Sequence, residues 1–487
     1  MDTAEDLTTQ IKNRLSLASG LPKPSPTISS WQQPPHPSVA NIQSDLADET
    51  DIIIIGSGVT GCGAAHALLH HPDAMGLCIT VLEARETCSG ATGRNGGQIC
   101  SNALESFLEN MDRYGPEISL EVARFSEANA ARLREITANL GELDREATEL
   151  RNVVSGCATS REDTWKAFKS STEAFEKAYP DSTLKFKAVA DRERIKEFGF
   201  QDDIVGLIEQ HGSAALWPYR LITAIFDDLL QQFRERFTLQ TNTPVQSIQF
   251  TPTDPLPYSL TTSRGIIRSK KVIHCTNAFA SHLLPNLVGG LFPLRGTMSV
   301  QKPGPDFPLL GDRLSWAKVD KFTFHPENKT WDTQYHYAQQ NARTGDFWIG
   351  GECQKLSELL TSDDSTVGET TKQKLSNVLP SIFANVEPHT VRQVWSGIMA
   401  FTSDGCPIVG RVPPSISGRD GNGEWISAGY NGHGMDKAWL CGEGVARMAL
   451  GEEDIPGLPK IYLLEEERMK TLTVDSSTES FKSLFSC

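Results

Sequence analysis

Asp51-Ile52-Ile53-Ile54-Ile55-Gly56-Ser57-Gly58-Val59-Thr60-Gly61 is the stretch that decides the fold, and Cys78-Ile79-Thr80-Val81-Leu82 ends in Glu83, twenty-two residues after Gly61. Four consecutive isoleucines suit a parallel strand buried on both faces. Gly56 then turns the chain sharply into a helix, Gly58 lets backbone approach a pyrophosphate, and Gly61 lets the helix pack against the strand. The helix start offers unpaired N–H groups and a positive dipole end to the phosphates. Glu83, at the tip of the next strand, can accept hydrogen bonds from both hydroxyls of an adenosine ribose and would repel a 2′-phosphate. The spacing therefore predicts a dinucleotide-binding βαβ unit; a phosphate-free αβ turn leaves Glu83 without a purpose.

A chain of 487 residues can hold a large core and two interwoven domains. Its net charge of −15 speaks against nucleic acid or an anionic membrane as partner. No apolar run approaches the length of a spanning helix. Ten cysteines without a Cys-x-x-Cys pair, and a start (Met1-Asp2-Thr3-Ala4-Glu5-Asp6) unlike a signal peptide, lead us to expect reduced thiols and a cytoplasmic protein. The final Ser483-Leu484-Phe485-Ser486-Cys487 matches neither a peroxisomal tripeptide nor a prenylation box.

Prolines 22, 24, 26, 34, 35 and 37 around Trp31 make residues 1–49 an expected extended arm, packed over the nucleotide domain through Trp31 and Ile28. Apolar residues at three- and four-residue steps predict helices over 104–150, with polar helix and loop to about 210. Another amphipathic helix is expected over 219–237. Short strands near Leu239, Val245 and Val272 follow, then alternating patterns from Pro293 to Ile349 that predict an antiparallel sheet. The fold class is thus α/β, a Rossmann-like nucleotide domain interleaved with an antiparallel-sheet substrate domain. Its expected segments are 50–105, 211–290 and 391–460 for the first and 106–210 and 291–390 for the second, with a tail at 461–487.

The loop Cys88-Ser89-Gly90-Ala91-Thr92-Gly93-Arg94-Asn95-Gly96-Gly97-Gln98 directly follows Glu83-Ala84-Arg85, and four glycines there imply backbone approaching something flat and bulky, such as an isoalloxazine ring. Together with Cys275-Thr276-Asn277-Ala278, Asp404-Gly405-Cys406-Pro407 and Gly429-Tyr430-Asn431-Gly432-His433-Gly434-Met435, this resembles the FAD-dependent D-amino-acid-oxidase-like superfamily of amine and amino-acid oxidases. Gly93 to Gln98 looks most like its γ-glutamylputrescine oxidoreductase branch. The resemblance spans about residues 50–455. It implies FAD on Gly56, Gly58, Val59, Thr60, Gly61, Glu83, Ala84, Arg85, Ser89, Gly90, Ala91, Thr92, Arg94, Asn95, Gly96, Gly97 and Gln98, then on Val245, Thr276, Asn277, Ala278, Gly397, Gly432, His433, Gly434 and Met435. It also implies oxidation of a C–N bond to an imine by hydride transfer to flavin N5. The Gly432–Gly434 turn leads into an apolar helix whose start can face the ring edge where charge gathers.

Departures from the family carry information. A tethering cysteine would align near Gly397 and a tethering histidine near Asn95; neither is present, so FAD is expected to be noncovalent. Asp436 stands where related enzymes hold a carboxylate-binding lysine, and favours a cationic substrate group over an anion; it is equally suited to capping the next helix. A lysine serving oxygen would align with Trp348, which leaves oxygen or another acceptor open. Amine oxidation needs positioning more than an acid–base pair, so the candidate catalytic residues are ring-facing: His433, Asp436, Tyr335, Tyr337, Arg295 as a substrate-anion or glutamate partner, and Trp395 at the flavin edge. Each also has a plain structural reading, as turn, core or ion-pair residue. No His or carboxylate spacing predicts a metal site. The rival readings are a nicotinamide-dependent Rossmann dehydrogenase, which needs neither glycine-rich loop, and a flavin-containing protein without turnover. The expected partners are a small amine and an electron acceptor.

Overall fold

The computed structural model describes residues 2–485 apart from Asn328 and Glu352; the terminal Ser486 and Cys487, read above for a targeting signal, lie outside the described residues. Two sheets organise the chain. In the first, strands run in the order Ile408–Arg411, Glu424–Ala428, Gly265–His274, Glu49–Ile55, Ile79–Leu82 and Phe237–Gln240, with Val245–Phe250 and Tyr258–Thr262 added as a hairpin. The central four pairings, from Glu424–Ala428 to Phe237–Gln240, are all parallel. Ile52 to Ile54 sit at its centre, fully buried, as a parallel strand covered on both faces requires. The helices Val59–His70 and Ala438–Leu450 pack on each other over one face. This is a Rossmann-like domain. Gly63 and Gly442 let those helices touch: a Cβ on Gly63 would lie 2.7 Å from Trp439 O and one on Gly442 2.3 Å from Thr60 O.

The second sheet runs Thr390–Thr402, Leu291–Lys302, Phe347–Gly350, Tyr335–Gln340, Leu314–Val319, Arg151–Thr159, Gly206–Ala215, Gln98–Ile99, with Lys185–Val189 beside Gly206–Ala215. It is antiparallel apart from the parallel pair Leu314–Val319 and Arg151–Thr159. Two of its strands lie in 151–210, which the sequence reading had as polar helix and loop, and a third, Gly206–Ala215, begins there. Polar residues mask them: Ser155 and Glu209 are buried, Glu209 because Arg194 of the Arg192–Glu197 helix donates to its carboxylate, so no apolar run marks the strand. The expected domain boundaries at 211 and 391 also shift. Gly206–Ala215 and Thr390–Thr402 belong to the second sheet, and Pro218–Gln232 is the helix that returns to the first.

The amino-terminal segment departs from the extended arm expected over 1–49. Asp2–Leu15 is helical because the prolines begin only at Pro22 and leave this stretch free. It packs against the Val474–Phe485 helix of the carboxyl-terminal tail, and Ile11, Leu15 and Phe481 share a cluster with Phe292 and Trp331. Residues 16–41 do run without regular helix past short turns. Trp31 anchors them, stacked on Trp348 (centroids 4.5 Å apart, 15°) and edge-on to Trp217 (5.2 Å). Ile28, expected to pack, is exposed instead. Among the described residues no helix is long and apolar enough to cross a membrane.

Candidate functional site

A cavity of about 540 Å³ runs between the two sheets. Its lining includes Glu83, Ala84, Thr243 and Val245 from the nucleotide domain and Tyr335, Tyr337 and Phe322 from the second, together with Asp436. The nucleotide turn is built as its glycines demand. Gly56 takes φ +110°, and a Cβ there would lie 2.6 Å from Cys275 O, so only glycine closes the turn. Gly58 precedes the Val59–His70 helix without a side-chain cap, so the helix start faces the cavity; its missing Cβ would meet Thr92 Oγ1 at 3.1 Å. Thr92 Oγ1 accepts from Val59 N at 3.0 Å. Gly61 lies off the wall and has the packing role expected of it: a Cβ would be 1.9 Å from Gly56 O.

Glu83 closes the turn electrostatically. Its Oε2 accepts from Ser57 N (2.9 Å) and Ser57 Oγ (2.7 Å), and its Oε1 from Arg85 N (3.0 Å). The carboxylate is only half-buried and faces the cavity, with lone pairs left for ribose hydroxyls.

The loop from Gly90 to Gln98 lines the middle of the cavity, but its glycines answer to more than a bound ring. A Cβ on Gly93 would lie 2.2 Å from Cys88 O; on Gly96, 2.7 Å from the Tyr337 ring; on Gly97, 2.0 Å from Gln339 Nε2 and 3.0 Å from Trp31. Only Gly90 would find open space. Protein packing therefore requires three of these four glycines. Arg94 crosses above Gly397, whose Cβ would sit 3.0 Å from Arg94 Cβ. Its Nε donates to Ser89 O (2.7 Å), and its Nη1 to Thr27 O (2.7 Å) and Ser396 O (2.8 Å). Arg85 pairs with the buried Asp364 at 2.9 Å, and Arg94 lies 3.8 Å from the same carboxylate. Burial, resisted by Asp364, pushes the Arg94 guanidinium down to about 10, so it stays charged near neutrality.

The arm contributes wall residues that sequence reasoning missed. Gly20, Leu21 and Pro22 line the cavity, beside Phe279, His282 and Leu283. Ser19 N and Oγ bond Ser281 Oγ at 3.1 and 2.8 Å, Ser29 Oγ donates to Gly93 O at 2.7 Å, and Trp31 Nε1 donates to Asn95 O at 2.6 Å. Trp31 was visible as an apolar anchor, but the cavity contact of Gly20 to Pro22 has no sequence signature.

At the far end, the Gly429–Gly434 turn needs left-handed backbone at Gly429 (φ +81°), Asn431 (φ +51°) and Gly432 (φ +83°). Tyr430, buried beneath it, accepts from Thr60 Oγ1 at 2.9 Å and so ties this turn to the nucleotide helix. His433 lines the wall; burial, helped by the Lys437 charge, pushes its imidazole down to about 3, so it is neutral. Tyr335 and Tyr337 stand side by side on the second sheet, centroids 5.7 Å apart. Asp436 is buried: Ser126 Oγ donates to its Oδ2 at 3.3 Å, and Lys437 Nζ lies 3.3 Å from its Oδ1. Burial raises its carboxyl despite Lys437. The Ala438–Leu450 helix has no side-chain cap, so Asp436 does not serve it that way.

Two expected ring-facing residues do not reach the cavity. Arg295 lies between the wall residues Leu294 and Gly296 on a strand, so its side chain takes the opposite face, with Nε toward Gln354 Oε1 (3.3 Å) and Nη1 toward Asp363 O and Thr366 O (3.3 Å each). Trp395 is fully buried behind the loop, its Nε1 donating to Arg94 O at 3.0 Å. Ser89 is likewise behind the wall, and its Oγ is buried without a partner. Thr276, Asn277, Ala278, Gly397 and Gly432 to Met435 all line it. Buried Thr276 Oγ1 and Arg94 Nη2, on wall residues, have no partner in the protein. Glycine cradle, ribose acid and unpartnered polar groups fit a dinucleotide carrying a second ring system.

The comparisons agree. The chain is 22% identical over 438 residues to a probable oxidoreductase, OrdL, of Rhizobium meliloti (strain 1021), covering 87% of this chain and 90% of that protein. It is 22% identical over 410 residues to the gamma-glutamylputrescine oxidoreductase of Escherichia coli (strain K12), covering 83% and 84%. Among solved structures, glycine oxidase from Geobacillus kaustophilus superposes with a TM-score of 0.64 at 16% identity, covering 86% of this chain and 99% of that one. The FAD dependent oxidoreductase family profile matches residues 51–448, and the chain belongs to that family, as an FAD-dependent oxidoreductase.

Proposed function

We propose that the protein oxidises a C–N bond of an amine or amino-acid-like small molecule to the imine, using noncovalently held FAD. One observation carries this reading: a single cavity joins the Gly56–Gly61 turn and Glu83 to a wall of the second sheet that bears Tyr335 and Tyr337 beside the Gly432–Met435 turn. When bound, FAD supplies N5 as acceptor of the hydride leaving the carbon next to nitrogen. The turn from Gly56 to Thr60 would receive the pyrophosphate, and Glu83 the ribose; Ala84, Arg85 and Val245 would flank the adenosine. Gly90 to Thr92, Arg94 to Gln98, Thr276 to Ala278, Gly397 and Gly432 to Met435 would hold the ring end.

The residues facing the substrate act by position. Tyr335 and Tyr337 wall one side and orient the C–H bond, work that supplies much of the rate when two groups are held in reacting geometry. Neutral His433 and the start of the Ala438–Leu450 helix line the cavity, where they would stabilise negative charge on a bound flavin. Arg295 and Trp395 serve from behind, holding the sheet and the Arg94 loop. Position 348 carries an indole stacked on Trp31 rather than an amine, and oxygen or another acceptor reoxidises the flavin.

Anaerobic addition of amines and amino acids to the purified protein tests the reading. The expected result is bleaching of oxidised-flavin absorbance with formation of a carbonyl product after imine hydrolysis. Failure of every amine and amino acid, with bleaching by a reduced nicotinamide, would return the dehydrogenase reading instead.

A further inference from the structure

Four residues that line the cavity, Leu294, Phe322, Met399 and Phe401, also belong to the apolar cluster built around Ile11, Leu15, Trp331 and Phe481. The helices that carry Ile11 and Phe481, Asp2–Leu15 and Val474–Phe485, both lie outside the family match at 51–448. Polar bonds fasten them to the body of the protein. Ser477 Oγ donates to Gly289 O at 2.6 Å, Ser476 Oγ and Ser403 Oγ share a bond of 3.0 Å, and Arg14 Nη1 donates to Ser357 O and Leu360 O at 3.3 Å each. Gly289 makes room for this docking, since a Cβ there would lie 2.4 Å from Val474 Cγ2.

Trp331 carries the contact onward. It sits in the strand Thr330–Asp332, which pairs with Thr323–His325 and Cys353–Lys355 in a small three-stranded sheet. Its ring lies 4.5 Å from that of Phe324 and 6.2 Å from that of Phe481. The residues flanking this hairpin, Phe322 before it and Thr333 and Tyr335 after it, line the cavity. Strands this short are not stable by themselves and need a packed apolar face, which Trp331 and Phe481 supply.

We propose that Phe481, with Ile11 and Leu15, is a positioning residue of the substrate site: the two helices close the apolar part of the cavity and hold Phe322, Thr333 and Tyr335 in place against the substrate. The inference rests on the amine-oxidation reading for what binds there, but not for the bracing itself.

The test compares holoenzyme variants by hydrogen–deuterium exchange and by anaerobic flavin reduction. Phe383 is the control, buried like Phe481 but in a cluster of which no member lines the cavity. Phe481→Ala should raise amide exchange over 322–325 and 330–335 roughly tenfold, because a segment that has lost its packing exchanges through local opening, and leave the Gly56–Gly61 turn at the parental rate. With the best reducing amine it should lower kcat/KM roughly tenfold through misplacement of the wall, while FAD binds as tightly as in the parent. Phe481→Leu should recover most of both. Phe383→Ala should lose comparable stability and show neither change. Should Phe481→Ala not fold, Leu7→Ala, half-buried on the other helix against the same cluster, carries the same test at smaller amplitude. Parental exchange over 322–325 and 330–335, the same rise in Phe383→Ala, or unchanged kcat/KM in the Phe481 variant overturns the inference. If no amine reduces the flavin, the proposed reaction falls, and exchange over those segments alone decides whether the helices brace the wall.

Discussion

Gly58 and Gly61 occupy the same turn, yet the structure gives them different work, and alanine at each separates cofactor binding from folding. At Gly61 the new Cβ would lie 1.9 Å from Gly56 O, a backbone atom with no rotamer to relax into, so the helix must move by roughly 1 Å. Overpacking of that kind costs about 1–3 kcal/mol, occasionally more, and outweighs the gain of up to about 1 kcal/mol in helix propensity, which is smaller still in the first turn. At Gly58 the backbone is ordinary (φ −73°), and the nearest contact is the Thr92 hydroxyl at 3.1 Å, a side chain that can give. Gly58→Ala should therefore leave the apoprotein within about 0.5 kcal/mol of the parent, while its methyl occupies the approach of the pyrophosphate and weakens FAD roughly a hundredfold. Urea unfolding of flavin-free protein and FAD titration by fluorescence quenching read the two quantities apart. Gly61→Ala should lose stability without flavin present. Tight stoichiometric FAD in Gly58→Ala, or an apoprotein of parental stability in Gly61→Ala, would refute the assignment of the turn.

Further outcomes follow from other parts of the site. Acid precipitation should release all the flavin into the supernatant as FAD, since Gly397 and Asn95 offer no nucleophile; colour retained in the pellet would contradict noncovalent binding. Trp31→Ala should cost about 3–5 kcal/mol as a buried indole is lost and raise the FAD dissociation rate, because the arm that lines the cavity is pinned through it; stopped-flow exchange with unlabelled FAD that is no faster than in the parent would show the arm to be irrelevant to retention. Burial pushes the Glu424 carboxyl up, but Arg419 and His274 outweigh it and hold it at about 2 against 4.5 in the unfolded chain. This depressed group stabilises the fold fully above pH 4.5 and loses that contribution, on the order of 3 kcal/mol, as the pH falls toward 2. Unfolding midpoints between pH 6 and 3 should thus fall more steeply in the parent than in Glu424→Gln, and parallel slopes would be the contrary result.

The nucleotide turn was legible in the chain because its requirements are local. Four isoleucines, glycines at 56, 58 and 61 and an acid at 83 act within one strand, one turn and the next strand, and each residue type has few substitutes there. The Gly429–Gly434 turn was legible for the same reason. Tertiary structure decided what depends on which face of a strand points inward, or on partners hundreds of residues away. Arg295 and Leu294 are neighbours in sequence, but the pleat turns one to Gln354 and the other to the cavity. Gly96 and Gly97 looked as though they yield to a ligand, yet Tyr337, Gln339 and Trp31, supplied by a strand and an arm remote in sequence, are what leave no room for a Cβ. The strands Arg151–Thr159 and Gly206–Ala215 were hidden because their buried polar side chains are satisfied only by groups the fold brings to them. Asp436 read as an acid meeting the substrate or as a cap of the next helix; it lines the cavity and lies against Lys437, the very next residue, and chain order alone could not say that the two would be buried side by side.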